Sequence, residues 1–156
     1  MVVLAVILIL VSIFYQDFRY REIWWFTPPL LLIGGFFYKW ETLNWQHFLF
    51  NFLFISFVIS FLVVYVRIRF KSNNLFKDYF GLGDVLVLLA ITPFFDFPFF
   101  IYFFTVSTII SLIGYVFMSL FKAQKSIPYA GYVSLCVIAF LLLVQYKLTP
   151  NFINGL

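Results

Sequence analysis

The chain has 156 residues, of which 65% are hydrophobic, 25% aromatic and only 10% charged. A mean hydropathy of +1.07 is typical of a polytopic membrane protein and excludes an ordinary water-soluble domain. The formal charge of +4 does not make nucleic acid an expected partner. The single cysteine, Cys136, lies in an apolar run, which leaves no disulfide framework and no cysteine-based metal site.

Hydropathy, with breaks at proline, glycine and charged residues, predicts six transmembrane helices. Their predicted bounds are 2–16, 27–39, 48–66, 83–96, 98–121 and 130–147. The first apolar run lacks the basic start and the cleavage site of a secretory signal, so we expect it to remain as a helix. The predicted fold is therefore all-α, with a single transmembrane domain over residues 1–156.

Small or hydroxyl residues recur at helical spacing in the predicted third and fifth helices. They are Ser56 and Ser60 in the third helix, and Ser107, Ser111 and Gly114 in the fifth. Such residues let helix backbones approach closely. Close packing is favoured over a polar ion pathway because no charged residue accompanies the serines.

The basic residues predict the orientation in the bilayer, since cytoplasmic loops carry an excess of lysine and arginine. With the N-terminus outside, eight of the ten fall inside: Arg19, Arg21, Arg67, Arg69, Lys71, Lys77, Lys122 and Lys125. Only Lys39 and Lys147 fall outside, so both chain ends are predicted to lie outside. Asp17 and Asp84 then share the cytoplasmic edge, whereas His47 and Asp96 lie on the outer side.

Asp17 and Asp84 are the most informative polar residues, because a carboxylate at the edge of an apolar segment is costly to ionise. Asp84 ends the run Gly81-Leu82-Gly83-Asp84. A simpler interpretation of that run is a turn in which glycine supplies a permissive backbone and Asp84 caps a helix. Asp17 alone could be a solvated interfacial charge. His47 is the only histidine and lies on the outer side, so neither a histidine metal cluster nor a serine triad is predicted.

Three segments, in the right order, resemble the type IV prepilin peptidases and preflagellin peptidases, membrane aspartyl proteases of the Gly-x-Gly-Asp class. The segment 17–23, an Asp followed by basic residues and an Ile, is similar to the first aspartate motif of that family. The segment 81–85 matches the second aspartate motif, and 127–131 is similar to the Ile-Pro-Phe-Gly-Pro segment before the last helix.

The resemblance implies a protease in the cytoplasmic membrane of a prokaryote, with Asp17 and Asp84 as the catalytic pair. Gly81, Gly83, Arg19 and Pro128 would support the motifs. It implies a prepilin-like substrate, cut at the cytoplasmic face, and neither a cofactor nor a metal. Two facing carboxylates would share one proton near neutrality, so that one activates water while the other donates to the scissile carbonyl. The chain resembles the protease core without the added methyltransferase region.

The chain also departs from the family pattern. Trp24-Trp25 stands where the family has Pro-Asn, and Leu86 stands where it has Lys. The third segment lacks the second Pro of the family, with Tyr132 beyond Gly131. The lost Lys and Pro-Asn keep open a catalytically degenerate member that acts as a non-enzymatic membrane assembly protein. A proton-coupled carrier is less favoured, because paired charges are absent deeper in the predicted helices.

Overall fold

The computed structural model describes residues 1–70, 81–121 and 127–145. Within these ranges the chain folds into six α-helices and one short 3-10 turn, Thr92–Phe94, and contains no strand. The helices are α1 (Val2–Tyr20), α2 (Thr27–Tyr38), α3 (Trp45–Phe70), α4 (Leu82–Ala90), α5 (Phe99–Phe121) and α6 (Tyr129–Gln145). The all-α prediction and the order of the six predicted helices are therefore confirmed for this part of the chain.

Helix length divides the six helices into two groups. Three described helices, α1, α3 and α5, are long and apolar enough to cross a membrane. The others are shorter: α2, with 12 residues, rises only about 18 Å at 1.5 Å per residue. The six-span arrangement and its orientation stay predictions, and Lys71, Lys77, Lys122, Lys125 and Lys147 lie outside the described residues.

A buried apolar core joins the short helices to α1. Helix α1 packs against both α2 and α6, and α4 packs against α2, α3 and α6. Leu10 and Ile13 of α1 and Val133 and Val137 of α6 are fully buried. By contrast, α3 and α5 expose large apolar side chains such as Phe57 and Leu120, as expected of helices that contact lipid. The core therefore holds the end of α1 against the start of α6.

The predicted fourth helix, 83–96, is wrong in its second half. Helix α4 ends at Ala90 and the chain continues into the 3-10 turn, because Pro93 has no N–H to extend an α-helix. The carbonyl groups freed there need partners. The buried Asn51 side chain donates to the Thr92 carbonyl at 3.0 Å and to the Phe95 carbonyl at 2.7 Å. The Leu89 carbonyl, to which Pro93 cannot donate, accepts the Thr92 hydroxyl at 2.7 Å instead. Asn51 of α3 thus serves the two carbonyls of the turn and its exit.

Helix α1 also differs from its prediction, since it continues to Tyr20 rather than ending at residue 16. Arg21 ends it in the left-handed conformation, with φ 59°, and its N–H donates to the Asp17 carbonyl at 3.2 Å. A left-handed residue other than glycine stops a helix sharply. Asp17 therefore lies within the last turn of α1, where the helix holds its side chain in one direction.

Candidate active site

Asp17 is buried at the end of α1, with only 6% of its surface exposed. The loop that follows is tied back to the same turn, because the Trp24 N–H donates to the Gln16 side-chain oxygen at 2.9 Å. The Thr27 hydroxyl donates to the Trp24 carbonyl at 2.8 Å as α2 begins. The loop is thereby fixed beside Asp17, and Ile23 within it is half-buried.

Asp84 lies in the first turn of α4 and comes from a different part of the chain. Gly81, with φ −66° and ψ 135°, occupies the cap position before the helix. The Asp84 Oδ1 atom accepts a hydrogen bond at 3.0 Å from the backbone N–H of Ala130, at the start of α6. The carboxylate thus reaches across to another helix, and the Gly81 backbone at the cap position also hydrogen-bonds it.

The start of α6 brings the two aspartates together. The Gly131 N–H donates to Asp17 Oδ2 at 2.6 Å, one residue after the Ala130 N–H that binds Asp84. The first N–H groups of a helix have no partner within the helix and favour negative charge. Consecutive amides therefore hold one oxygen of each carboxylate. The two side chains are close enough to interact electrostatically.

The glycines of the site are required for space. No glycine in the described ranges has a positive φ, so the expected permissive backbone is not the reason for them. A Cβ on Gly83 would lie 2.9 Å from Ile23 Cδ1, and one on Gly131 would lie 2.8 Å from Phe18 Cδ2. A Cβ on Gly81 would lie 3.1 Å from Asp84 Oδ2. Gly83 and Gly131 thus allow the motif segments to approach one another closely, and Gly81 leaves space for the Asp84 carboxylate.

An open pocket of about 330 Å³ lies in front of the two carboxylates. Its lining comes from the two aspartate motifs: Asp17, Arg21, Glu22, Ile23, Gly81, Leu82, Gly83 and Asp84. The positive charge of Arg21 acts on both carboxylates. A substrate backbone and a water molecule could therefore reach both aspartates from one side.

The structure places the supporting residues that the motifs predict in different parts of the molecule. Gly81 and Gly83 line the pocket, and Pro128 is buried just before α6, where its carbonyl accepts the Tyr132 N–H at 3.2 Å. Arg19 is exposed and lines a separate surface depression instead. Arg21, in the same motif, lines the pocket.

The pocket includes neither Leu86 nor the two tryptophans. Leu86, where the family has Lys, lines a different, almost wholly apolar pocket with Pro28, Leu32 and Phe52. Trp24 and Trp25, where the family has Pro-Asn, are both exposed. Neither departure therefore contributes to the lining in front of the aspartates.

Sequence reasoning missed three contributors to this site. The Ala130 and Gly131 amides carry no side-chain signal, although the resemblance of 127–131 to a family segment points to that region. The side chain of Arg21 was predicted only as a cytoplasmic charge, and its left-handed backbone has no clear sequence signature. The two amides contribute because distant segments meet, and Arg21 contributes because of the way α1 ends.

A second polar cluster lies beyond the other end of α4. Lys39 Nζ forms an ion pair with Asp96 Oδ2 at 2.8 Å, and His47 Nδ1 lies 3.4 Å from Asp96 Oδ1. Asp96 is therefore not a partner of Asp84, as the sequence predicts. Within the described ranges, no three His, Cys, Asp or Glu residues are grouped so that they could hold a metal ion.

An all-helical, apolar chain with two carboxylates at one pocket defines a membrane protein with a paired-aspartate site. The model of the type IV leader peptidase family matches residues 4–119, well over half of the chain. The chain belongs to that family, whose members are aspartic-type peptidases. The match includes Asp17 and Asp84 and ends before the segment 127–131. No curated protein and no solved structure matched the chain.

Proposed function

We propose that the protein is a membrane aspartyl endopeptidase that removes the leader of prepilin-like proteins at the cytoplasmic face of a prokaryotic membrane. The observation that carries the proposal is the meeting of Asp17 and Asp84 at consecutive amides of α6, in front of one pocket. Family membership supports a leader peptidase function in general. The substrate class follows from that family.

The hydrogen bonds assign a role to each carboxylate oxygen. Backbone amides only donate, so Asp17 Oδ2 and Asp84 Oδ1 act as acceptors and are poor positions for a proton. The Gly81 backbone also hydrogen-bonds the Asp84 carboxylate, whose Oδ2 atom lies nearest to it. Asp17 Oδ1 is therefore the better position for the proton that two adjacent carboxyl groups share. Asp84 Oδ2 lies beside Gly81, where the pocket opens.

Hydrolysis then needs only water and the pair of carboxyl groups, which together hold one proton. The ionised carboxylate takes a proton from water while the oxygen of that water attacks the scissile carbonyl carbon. The protonated carboxyl group hydrogen-bonds the carbonyl oxygen as negative charge develops there. Collapse of the tetrahedral intermediate breaks the C–N bond, and a proton from the pair goes to the leaving amine. The products are a carboxylic acid and an amine, and the pair again holds one proton.

The proposal is tested with the full-length protein in lipid vesicles and a prepilin-like substrate. We expect one cut between the basic leader and the hydrophobic segment, identified by mass spectrometry. Asp84→Asn should remove this activity, whereas Asp96→Asn, which changes a carboxylate at the other end of α4, should keep it. The proposal fails if the wild-type protein leaves several such substrates intact, or if Asp84→Asn still cuts them.

A further inference from the structure

Tyr132 follows the segment 127–131 and connects three helices, α1, α5 and α6, beside the aspartates. Its ring lies directly over Gly114 of α5, where any Cβ would overlap the ring. Its hydroxyl donates to Met118 Sδ at 3.2 Å. On the other side, the Phe18 ring meets the Tyr132 ring edge to face, with 5.2 Å between ring centroids.

These contacts are adjacent to the hydrogen bonds that hold the aspartates. Phe18 follows Asp17 in α1, and Tyr132 follows Gly131 in α6. Residues 17 and 18 therefore face residues 131 and 132, through one hydrogen bond and one aromatic contact. Gly131 itself packs against the Phe18 ring, since a Cβ there would lie 2.8 Å from Phe18 Cδ2. A shift of the Tyr132 ring would accordingly move the Gly131 amide.

We propose that Tyr132, seated on Gly114 and against Phe18, is a positioning residue that holds the Ala130 and Gly131 amides on the two aspartates. The inference rests on the proposed function and deepens it. The ring sets the position of the first turn of α6, and that turn decides which oxygen of each carboxylate is an acceptor. A residue without an aromatic ring at this position would leave the space over Gly114 unfilled.

Four single substitutions separate positioning from general packing. Gly114→Ala and Tyr132→Ala should each lower kcat at least tenfold with little change in KM, because the pocket that binds substrate is kept. Tyr132→Phe keeps the ring and should stay within threefold of the wild type. Gly34→Ala is the control: its Cβ would lie 2.9 Å from Val6 Cγ2, a milder crowding between α1 and α2, away from the last turn of α1 that holds Asp17.

If Tyr132 had a purely structural role, its loss would not change the pH dependence of kcat. Displaced amides change which protonation state of the pair is stabilised, so Gly114→Ala should shift the pH optimum, whereas Gly34→Ala should not. The inference is overturned if folded Gly114→Ala keeps the wild-type kcat and pH profile. It is also overturned if Tyr132→Phe lowers kcat as much as Tyr132→Ala does. The same holds if Gly34→Ala changes kcat and the pH optimum as Gly114→Ala does.

An infrared titration keeps this inference separate from the proposed function. The absorption of the protonated carboxyl group is followed against pH in the wild-type protein, with Asp84→Asn to assign the band. Gly114→Ala should move the midpoint of this titration, and Gly34→Ala should leave it in place. If the wild type cuts no substrate, the proposed function fails, while an unmoved midpoint in Gly114→Ala would still refute the positioning role.

Discussion

The two ends of α4 hold their carboxylates in different ways. At the start of the helix, Asp84 and Asp17 accept hydrogen bonds from neutral backbone amides of α6. Beyond its end, Asp96 is bound directly by Lys39 and approached by His47. An amide stabilises a carboxylate without neutralising its charge, whereas a lysine neutralises it. The first arrangement lets the pair change protonation during a reaction; the second keeps one carboxylate ionised.

The pKa of Asp96 illustrates the difference. Partial burial raises the pKa of this carboxyl, but the hydrogen bonds and charges of Lys39 and His47 outweigh burial and hold the pKa below its usual value. A group with a lowered pKa stays charged over the physiological range and has no proton to exchange. Asp96 thus serves to join the connection after α4 to the ends of α2 and α3.

Apart from the aspartates themselves, the largest effect on the amide-held end is expected from Gly131→Ala. The added Cβ would lie 2.8 Å from Phe18 Cδ2 and 3.1 Å from Asp17 Oδ2, so the first turn of α6 must move away from Asp17. A displacement of about 1 Å at a reacting group lowers the reaction rate about 100-fold. We therefore expect the cleavage rate to fall by about that factor. A rate within threefold of the wild type, measured on the vesicle-bound protein, would contradict the close approach.

The pH dependence of cleavage distinguishes a shared proton from a single base. A pair that works with one proton is inactive when it holds none or two, so kcat/KM against pH should be bell-shaped. The same profile should be found in Asp96→Asn, because that carboxylate takes no part. A profile with one limb would mean that only one aspartate changes protonation.

A smaller effect is expected from Leu86→Lys, which restores the residue typical of the family. Leu86 lies in an apolar pocket apart from the aspartates and is 40% exposed, so a lysine can extend its charged end outward. The cleavage rate should stay within about threefold of the wild type, with Leu86→Met as the control for size. A tenfold gain would show that the family lysine contributes to the reaction in this chain too.

The smallest effect concerns the stability contributed by Asp96. Since the folded pKa lies below the unfolded value of about 3.9, the contribution is present above that pH and is lost as the pH falls through the folded pKa. Asp96→Asn should lower the free energy of unfolding by about 1 kcal/mol or less at pH 7, because the side chain is half-exposed. Thermal unfolding at pH 7 and pH 3 checks this, and a difference that grows in acid would contradict it.

The sequence predicted the helices and the aspartate pair because both depend on local patterns. Apolar runs give six helices in the right order, and the motif residues around Asp17 and Asp84 carry the family resemblance. The break after Ala90 depends on a buried Asn51 from α3, and the left-handed Arg21 on the way α1 ends. The two amides of α6 have no side-chain signature at all. Contacts between distant segments, such as those of Asn51 and of the α6 amides, could not be predicted from local patterns.

The pairing of Asp17 and Asp84 is tested most directly by comparing Asp17→Asn, Asp84→Asn and the double variant. Residues that act as one unit are not additive, since either single change already removes the whole function. We expect all three variants to show the same background rate, about 1,000-fold or more below the wild type, while remaining folded in the vesicles. A single variant that keeps a tenth of the wild-type rate, with a further loss in the double variant, would contradict the shared site.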